Sequence, residues 1–417
     1  MEPVEIKVSD VVFREDLYPR IDRDPAMVQK YAGNLDVLPP IEVNQHNELI
    51  DGWHRWTAHA TNELETIQVI VTETKSDAEF LALACRRNAS AGKQLSNKDK
   101  HSMAVRLYNG GQGIDKKEIR EILSVTEQTV TGWLHDIDAQ IKKERDAKIF
   151  DMWMTCHTQQ EIADAVKEPR RTIADHVEDL AKMKESSKSP KLANFADDAW
   201  SPQLYSVWNF PKATNEVKHF GNIPPEIIEN LLYYYTKPFD VVFDPFGGGG
   251  STIDICKKRL RRYWVSDLTP IEARKHEIRE HDITTGVPKI TPVPDFVFLD
   301  PPYWKQAEGK YSDKKTDLGN VEIDTFLDTI GEIAKQMKTK WKTKTGGGKL
   351  ALIIGMHNKD DEFHDLAFRC YERIKMPLIS RIIVPYSTQV YGGAHVERAK
   401  ENKEFLYMHR DLMVFGV

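Results

Sequence analysis

The chain reads as an α/β protein: a doubly wound, parallel sheet in its C-terminal half, preceded by a small α/β unit and a helical region. Three observations predict this. Over residues 200–417, strand-like segments ("DVVFDPF", "RYWVSDL", "DFVFLDPP", "KLALIIG", "RIIVPYS", "DLMVFGV") alternate with helix-like ones, the pattern of a parallel sheet with crossover helices. Over residues 5–75 short β-branched runs (Ile41–Val43, Leu49–Ile50, "IQVIVTE") surround the helical "HRWTAHATN". Between them the apolar spacing is helical.

That middle stretch holds two helix-turn-helix candidates. In "DKKEIREILSVTEQTVTGWLHDI" the apolar face is Ile119, Ile122, Leu123, Val130 and Trp133, and Ser124 or Thr126 is placed to cap the second helix. In "TQQEIADAVKEPRRTIADHVEDLAK" the face is Ile162, Ala165, Val166, Ile173 and Val177. Pro169 marks the start of its second helix, with Arg170 and Arg171 in the first turn. That pair suits phosphates or guanine edges, and a solvated helix start is the equal alternative. The polar "KMKESSKSPKLANFADDA" reads as a linker. The expected domains are therefore 1–76, 77–136 with the first helix-turn-helix, 137–185 with the second, a linker at 186–199, and 200–417.

Composition sets limits. At 417 residues, 29% charged and 40% hydrophobic, two or three globular domains are expected. A net charge of -6 confines any nucleic-acid surface to a local patch. Four cysteines (85, 156, 256, 370) lie far apart without a CxxC pair, which argues against a zinc site or a disulfide framework. No signal peptide or membrane span is expected, and a cytoplasmic, nucleoid-associated location is.

Two motifs carry chemistry. In "FDPFGGGGSTIDICKK" (243–258) a buried strand ends at Asp244, glycines turn the chain, and a helix opens near Ser251. Asp267 ends the next strand and is placed for ribose hydroxyls; Asp282, after a third segment, can reach the adenine end of a nucleoside. The spacing is neither the dinucleotide fingerprint nor a P-loop, which disfavours a nicotinamide dehydrogenase. In "PDFVFLDPPYW" (294–304) a strand ends in Asp300-Pro301-Pro302-Tyr303-Trp304. The prolines fix the backbone and leave carbonyls exposed. Carboxylate and carbonyl can each accept one N–H of an exocyclic amine, while Tyr303, joined by Trp304, stacks on the base. The plain alternative is a proline turn with a core tyrosine.

On these motifs residues 200–417 resemble the amino-group DNA methyltransferases of the Asp-Pro-Pro-Tyr type, which implies a Rossmann-like fold using S-adenosylmethionine. By that resemblance Asp244, Pro245, Phe246, Gly247, Gly249 and Thr252 line the cofactor. Asp267 binds its ribose, Asp282 lies near its adenine, and Asp300, Pro301, Pro302 and Tyr303 hold the target base. "NIPPEIIENLLYYYTKP" (222–238) resembles the helix that closes over the methionine end. The unbroken run of four glycines departs from the family. Asp at the first catalytic position leans toward adenine N6, with cytosine N4 as the alternative. No metal is implied.

The front half, "VFREDLYPRIDRDPAMVQKYAGNL" with "NELIDGWHRWTAHATNELETIQVIV" and on to about residue 135, resembles the ParB N-terminal domain. That implies binding of double-stranded DNA, and some members bind and hydrolyse CTP. The segment Gly52-Trp53-His54-Arg55 carries one arginine where that motif has adjacent ones, so CTP is a secondary reading with the motif against it. A second copy of the chain stays open as a partner; a membrane is not expected. Restriction-modification or a phage or other mobile element fits as context. The rival outside enzymology is a ParB-like partition factor with a non-catalytic methyltransferase domain.

Overall fold

The computed structural model describes residues 2–21, 23–90, 95–111, 113–182, 188–197, 200–210, 222–305, 309, 311–359, 362–386 and 392–417. The chain divides into two compact units, Met1–Asp146 and Ala147–Val417.

In the first unit β1 (Val4–Lys7) is followed by α1 (Pro25–Ala32), β2 (Ile41–Val43), β3 (Leu49–Asp51), α2 (Trp53–Thr61) and β4 (Thr66–Val71). The sheet order is β1-β4-β2-β3, with β4 antiparallel to β1 and parallel to β2. Ile41, Val43, Leu49, Ile67 and Val69 form its core. Gly52 opens α2 at φ 104°, and a Cβ there would lie 2.7 Å from Ile41 Cγ2, so both backbone and space demand glycine. Helices α3 (Asp77–Ser90), α4 (Asn97–Tyr108), α5 (Lys116–Leu123) and the start of α6 (Glu127–Met154) pack around Met103, Leu107, Ile119, Ile122, Leu123, Val130 and Leu134. Thr126 is the cap at the head of α6, its hydroxyl accepting Thr129 N–H at 3.1 Å. Ser124 instead ends α5 in the left-handed region.

The second unit begins within α6 and continues through α7 (Gln159–Val166), α8 (Arg170–Lys182), α9 (Lys188–Ala193) and α10 (Pro225–Tyr235). Ile162 and Ile173 are buried in the second helix-turn-helix as expected. Ala165 is exposed and Ala163 takes the inward place, a shift of two positions around the helix. Next come β5 (Val241–Asp244), α11 (Ser251–Lys258), β6 (Arg262–Asp267), β7 (Arg279–Glu280), β8 (Phe296–Leu299), α12 (Ile323–Trp341) and β9 (Lys349–Gly355). A hairpin of β10 (His357–Lys359) and β11 (Glu362–His364), then α13 (Leu366–Ile374), β12 (Leu378–Pro385), α14 (Gly393–Asn402) and β13 (His409–Gly416) complete it.

The seven-stranded sheet runs β12-β13-β9-β8-β5-β6-β7. The strands from β9 to β7 are parallel, while β13 is antiparallel to both its neighbours. The expectation of a parallel sheet therefore holds for the part that carries the motifs. One face packs on α12 and α13 through Phe326, Ile330 and Trp341, the other on α10 and α11 through Ile228, Leu231 and Ile253.

The segment expected as a linker is docked onto this unit. Buried Arg259 donates to Glu229 Oε1 at 2.7 Å, to Leu192 O at 3.0 Å and to Asp197, beneath the Phe195 ring at 4.4 Å. Arg261 donates to Ala193 O. Residues 183–187 and 198–199 of that expectation lie outside the described residues. The end of α6 is tied to the same sheet: Arg262 donates to Trp153 O at 2.9 Å and Arg279 to Thr155 O at 2.7 Å.

Candidate active site

All parallel strands deliver their carboxyl ends to one side of the sheet, where helix N-termini and turns leave a crevice. The first wall is the glycine turn. Asp244, buried at the end of β5, accepts Phe246 N–H at 2.8 Å and the Thr252 hydroxyl at 2.5 Å. Burial pushes its carboxyl up to about 7 against those two bonds. Gly247 N–H donates to Ser266 O at 2.8 Å, and a Cβ on Gly247 would meet Val265 Cγ1 at 2.7 Å. The turn is thus pressed onto β6, which only glycine permits.

The second wall is acidic. Asp267, at the end of β6, accepts Gly248 N–H and Thr269 N–H, each at 2.9 Å. Asp282 accepts Thr284 N–H at 3.0 Å and the Thr284 hydroxyl at 2.6 Å. Burial raises the Asp282 carboxyl, but the hydrogen bonds of Thr284 and Thr316 outweigh it and hold it below the usual carboxylate range.

The third wall is the corner after β8. Burial raises the Asp300 carboxyl to about 7, with Arg410 opposing and Asp244 reinforcing. Pro302 lies at the surface of the crevice and Pro301 is buried beside it.

These walls enclose one cavity of about 830 Å³, counting its open mouth. Asp244, Pro245, Phe246, Gly247, Gly249, Thr252, Asp267, Asp282, Asp300 and Pro302 all line it. Asn222, Ile223 and Ile228, at and just before the head of α10, close one side, where the preceding helix was expected. The glycine turn and the Asp-Pro-Pro corner therefore share a pocket.

Other expected residues fall elsewhere. Tyr303 is half-buried outside the lining. Trp304 is turned into the core and not to the crevice: it is 5% exposed, donates Nε1–H to Val321 O at 2.9 Å and packs edge-on against His364. Two adjacent aromatics after a proline corner do not reveal in sequence which ring turns inward. Arg170 and Arg171 are exposed at the start of α8, apart from the pocket.

The pocket also has residues that motif reading did not find: Tyr311, Thr316, Asp317 and Leu318. They belong to a loop folded around Asp317, which accepts the Ser312 hydroxyl and Gly319 N–H, each at 2.9 Å. The one available signal was "TDLGN", a polar turn cluster close behind the corner.

The doubly wound sheet thus brings the glycine turn, Asp267, Asp282 and the Asp-Pro-Pro corner to one crevice. A protein-family profile of the N6/N4 methyltransferases, described as DNA methylase, matches residues 52–276. That is more than half of the 417 residues, and the chain belongs to this family of DNA methylases. The matched span includes the glycine turn and Asp267 and stops before Asp282 and Asp300. Among curated proteins, the Type II methyltransferase M.XycI of Xanthomonas campestris pv. cyanopsidis is 37% identical over 65 residues, 16% of this chain. M.Cfr9I of Citrobacter freundii is 35% identical over 65 residues. The chain spans 22% of the length of each of these relatives. Among solved structures, the chromosome-partitioning protein ParB from Caulobacter crescentus, complexed to the centromeric parS site, aligns over 43% of this chain and 90% of its own, at 16% identity and a TM-score of 0.25. A pNOB8-like ParB N-domain aligns over 48% and 88%, at 9% identity and a TM-score of 0.28.

Proposed function

We propose that the chain is an S-adenosylmethionine-dependent DNA methyltransferase acting on the exocyclic amine of an everted base, adenine N6. The observation that carries this reading is the single pocket lined by both Asp267 and Asp300. The donor set fits the cofactor: Asp267 offers acceptors to vicinal hydroxyls, Asp282 offers acceptors to a purine edge, and Ile223 and Ile228 offer apolar surface to a thioether chain.

The cofactor supplies an electrophilic methyl group on a sulfonium. The protein's contribution is orientation and charge. Ionised Asp300 accepts one N–H of the amine and a proline carbonyl of the corner accepts the other, which holds the nitrogen lone pair out of the ring and toward the methyl. As the nitrogen becomes positive, the half-buried carboxylate stabilises it more strongly than water would. The base must leave the duplex to reach this corner, at a cost of a few kcal/mol.

In the same reading, the ParB-like front half and the exposed Arg170 and Arg171 supply duplex affinity. Arg55, the one arginine near Gly52, is engaged by Asp51 at 2.7 Å and by the carbonyls of Pro39 and Pro40. CTP stays a secondary reading for the front half.

The test is transfer of labelled methyl to mixed-sequence duplex DNA, followed by nucleoside analysis. N6-methyladenine is expected from the parent and none from Asp300→Ala, whose cofactor affinity should stay within about threefold of the parent, because the carboxylate acts on the base. N4-methylcytosine would move the substrate to cytosine. Equal rates for parent and Asp300→Ala would refute the assignment.

A further inference from the structure

Residues 271–278, between β6 and β7, carry no motif, yet they fold against the back of the glycine turn. A Cβ on Gly247 would lie 3.1 Å from Ile278 Cγ2, and one on Gly250 would lie 3.2 Å from Arg274 Nε and 3.4 Å from Arg274 Cζ. From Gly247 to Thr252, Gly250 is the one residue that does not line the crevice. It stands at the head of α11 with φ 89°, a conformation natural to glycine, and its carbonyl accepts Asp254 N–H at 3.1 Å. Two of the four consecutive glycines therefore serve close approach, Gly247 to β6 and Ile278, and Gly250 to Arg274.

Arg274 is 8% exposed, and a charge this well buried is costly unless strong acceptors compensate it. Two carboxylates do so. Nη2 donates to Asp254, in the first turn of α11, at 2.7 Å to Oδ1 and 2.9 Å to Oδ2. Nη1 donates to Glu277 Oε2 at 2.8 Å, and Glu277 also accepts from Lys257 in the last turn of α11. The planar fork thus joins the 271–278 segment to α11 and lies flat behind Gly250.

We propose that Arg274 is a positioning residue for the nucleoside cofactor: gripping Asp254 and backing Gly250, it holds the glycine turn in its binding shape before the cofactor arrives. A turn already ordered loses little freedom on binding, so the brace is read out as affinity. The inference rests on the methyltransferase reading for the identity of the ligand, though not for the hold of Arg274 on the turn. Arg274 does not line the crevice and acts through Gly250 and α11.

The experiment compares parent, Arg274→Met and Arg274→Lys in the full chain, with folding checked by circular dichroism. Calorimetric titration with S-adenosylhomocysteine gives the Kd and the number of sites. Single-turnover transfer at saturating S-adenosylmethionine gives the rate. Hydrogen exchange followed by mass spectrometry reports on the turn, residues 245–254, without ligand. Arg274→Met should raise the Kd by about tenfold with the number of sites unchanged, speed exchange in the turn by about fivefold, and leave the saturated rate within about twofold of the parent. Arg274→Lys should fall between, at about threefold in Kd, because the charge stays and the planar fork is lost. A parent-like Kd in Arg274→Met, or parent-like exchange in the turn, overturns the proposal. Fewer sites at a parent-like Kd does the same, since it marks a merely structural role, and so does a saturated rate that falls as far as the affinity. If Arg274→Met does not fold, Arg274→Lys decides alone, a raised Kd with faster exchange supporting the brace and a parent-like Kd ending it. A parent that binds no S-adenosylhomocysteine would end the cofactor reading, and exchange in the turn would still decide the hold of Arg274.

Discussion

Replacing Asp244 by Asn should stabilise the protein, and the gain should grow with pH. Asp244 is 3% exposed, and burial lifts its carboxyl from 3.8 to about 7. The sign follows from linkage: between those values the unfolded chain releases the proton while the native state keeps it, so stability falls as pH rises. The destabilisation reaches about 1.7 kcal/mol at pH 5 and about 4 kcal/mol at pH 8, at about 1.36 kcal/mol per unit of difference. Asparagine keeps the acceptor for Phe246 N–H, and the Thr252 hydroxyl can rotate to accept from its amide. The stability difference between Asp244→Asn and parent should therefore widen by about 2.5 kcal/mol from pH 5 to pH 8, as an upper figure. Urea unfolding of both proteins at the two pH values measures it. A difference that is constant with pH would show that Asp244 does not retain its proton in a dry site.

Three further outcomes follow from the same geometry. Trp304→Ala should cost about 3–5 kcal/mol of stability, as a deleted core ring does, and Trp304→Phe should keep most of the transfer activity; thermal unfolding and transfer rates distinguish this from a base-stacking role. Arg259→Met should destabilise by about 3 kcal/mol or more, since it leaves Glu229 and Asp197 without their buried partner, and limited proteolysis should then cut near residues 188–197. Arg170→Ala with Arg171→Ala should weaken duplex binding similarly on all sequences and lower the salt slope by about 1–2, read by fluorescence anisotropy at several salt concentrations.

The crevice was legible because its acids stand at strand ends beside local signatures. Asp244, Asp267 and Asp300 each close a β-branched or aromatic run, and a parallel sheet brings such ends to one side. What stayed hidden depends on distant partners. The polar segment near Ala193 has a flexible composition, and its order comes from Arg259 and Arg261, more than sixty residues later in the chain. Arg410 looks like any basic residue at the start of a strand until β13 inserts beside β9 and buries it over the Tyr386 ring. Trp304 and Tyr303 are adjacent aromatics, and only packing against His364 and Val321 shows which is core. The antiparallel placement of β13 has no local signal either, because an apolar run serves equally in both directions.

The most direct measurement is a crystal structure of the protein with S-adenosylhomocysteine. The account predicts ribose hydroxyls on Asp267, the adenine toward Asp282, and the sulfur turned to the space in front of Asp300 and Pro302. A ligand bound away from the glycine turn, or one whose sulfur faces away from Asp300, would contradict it.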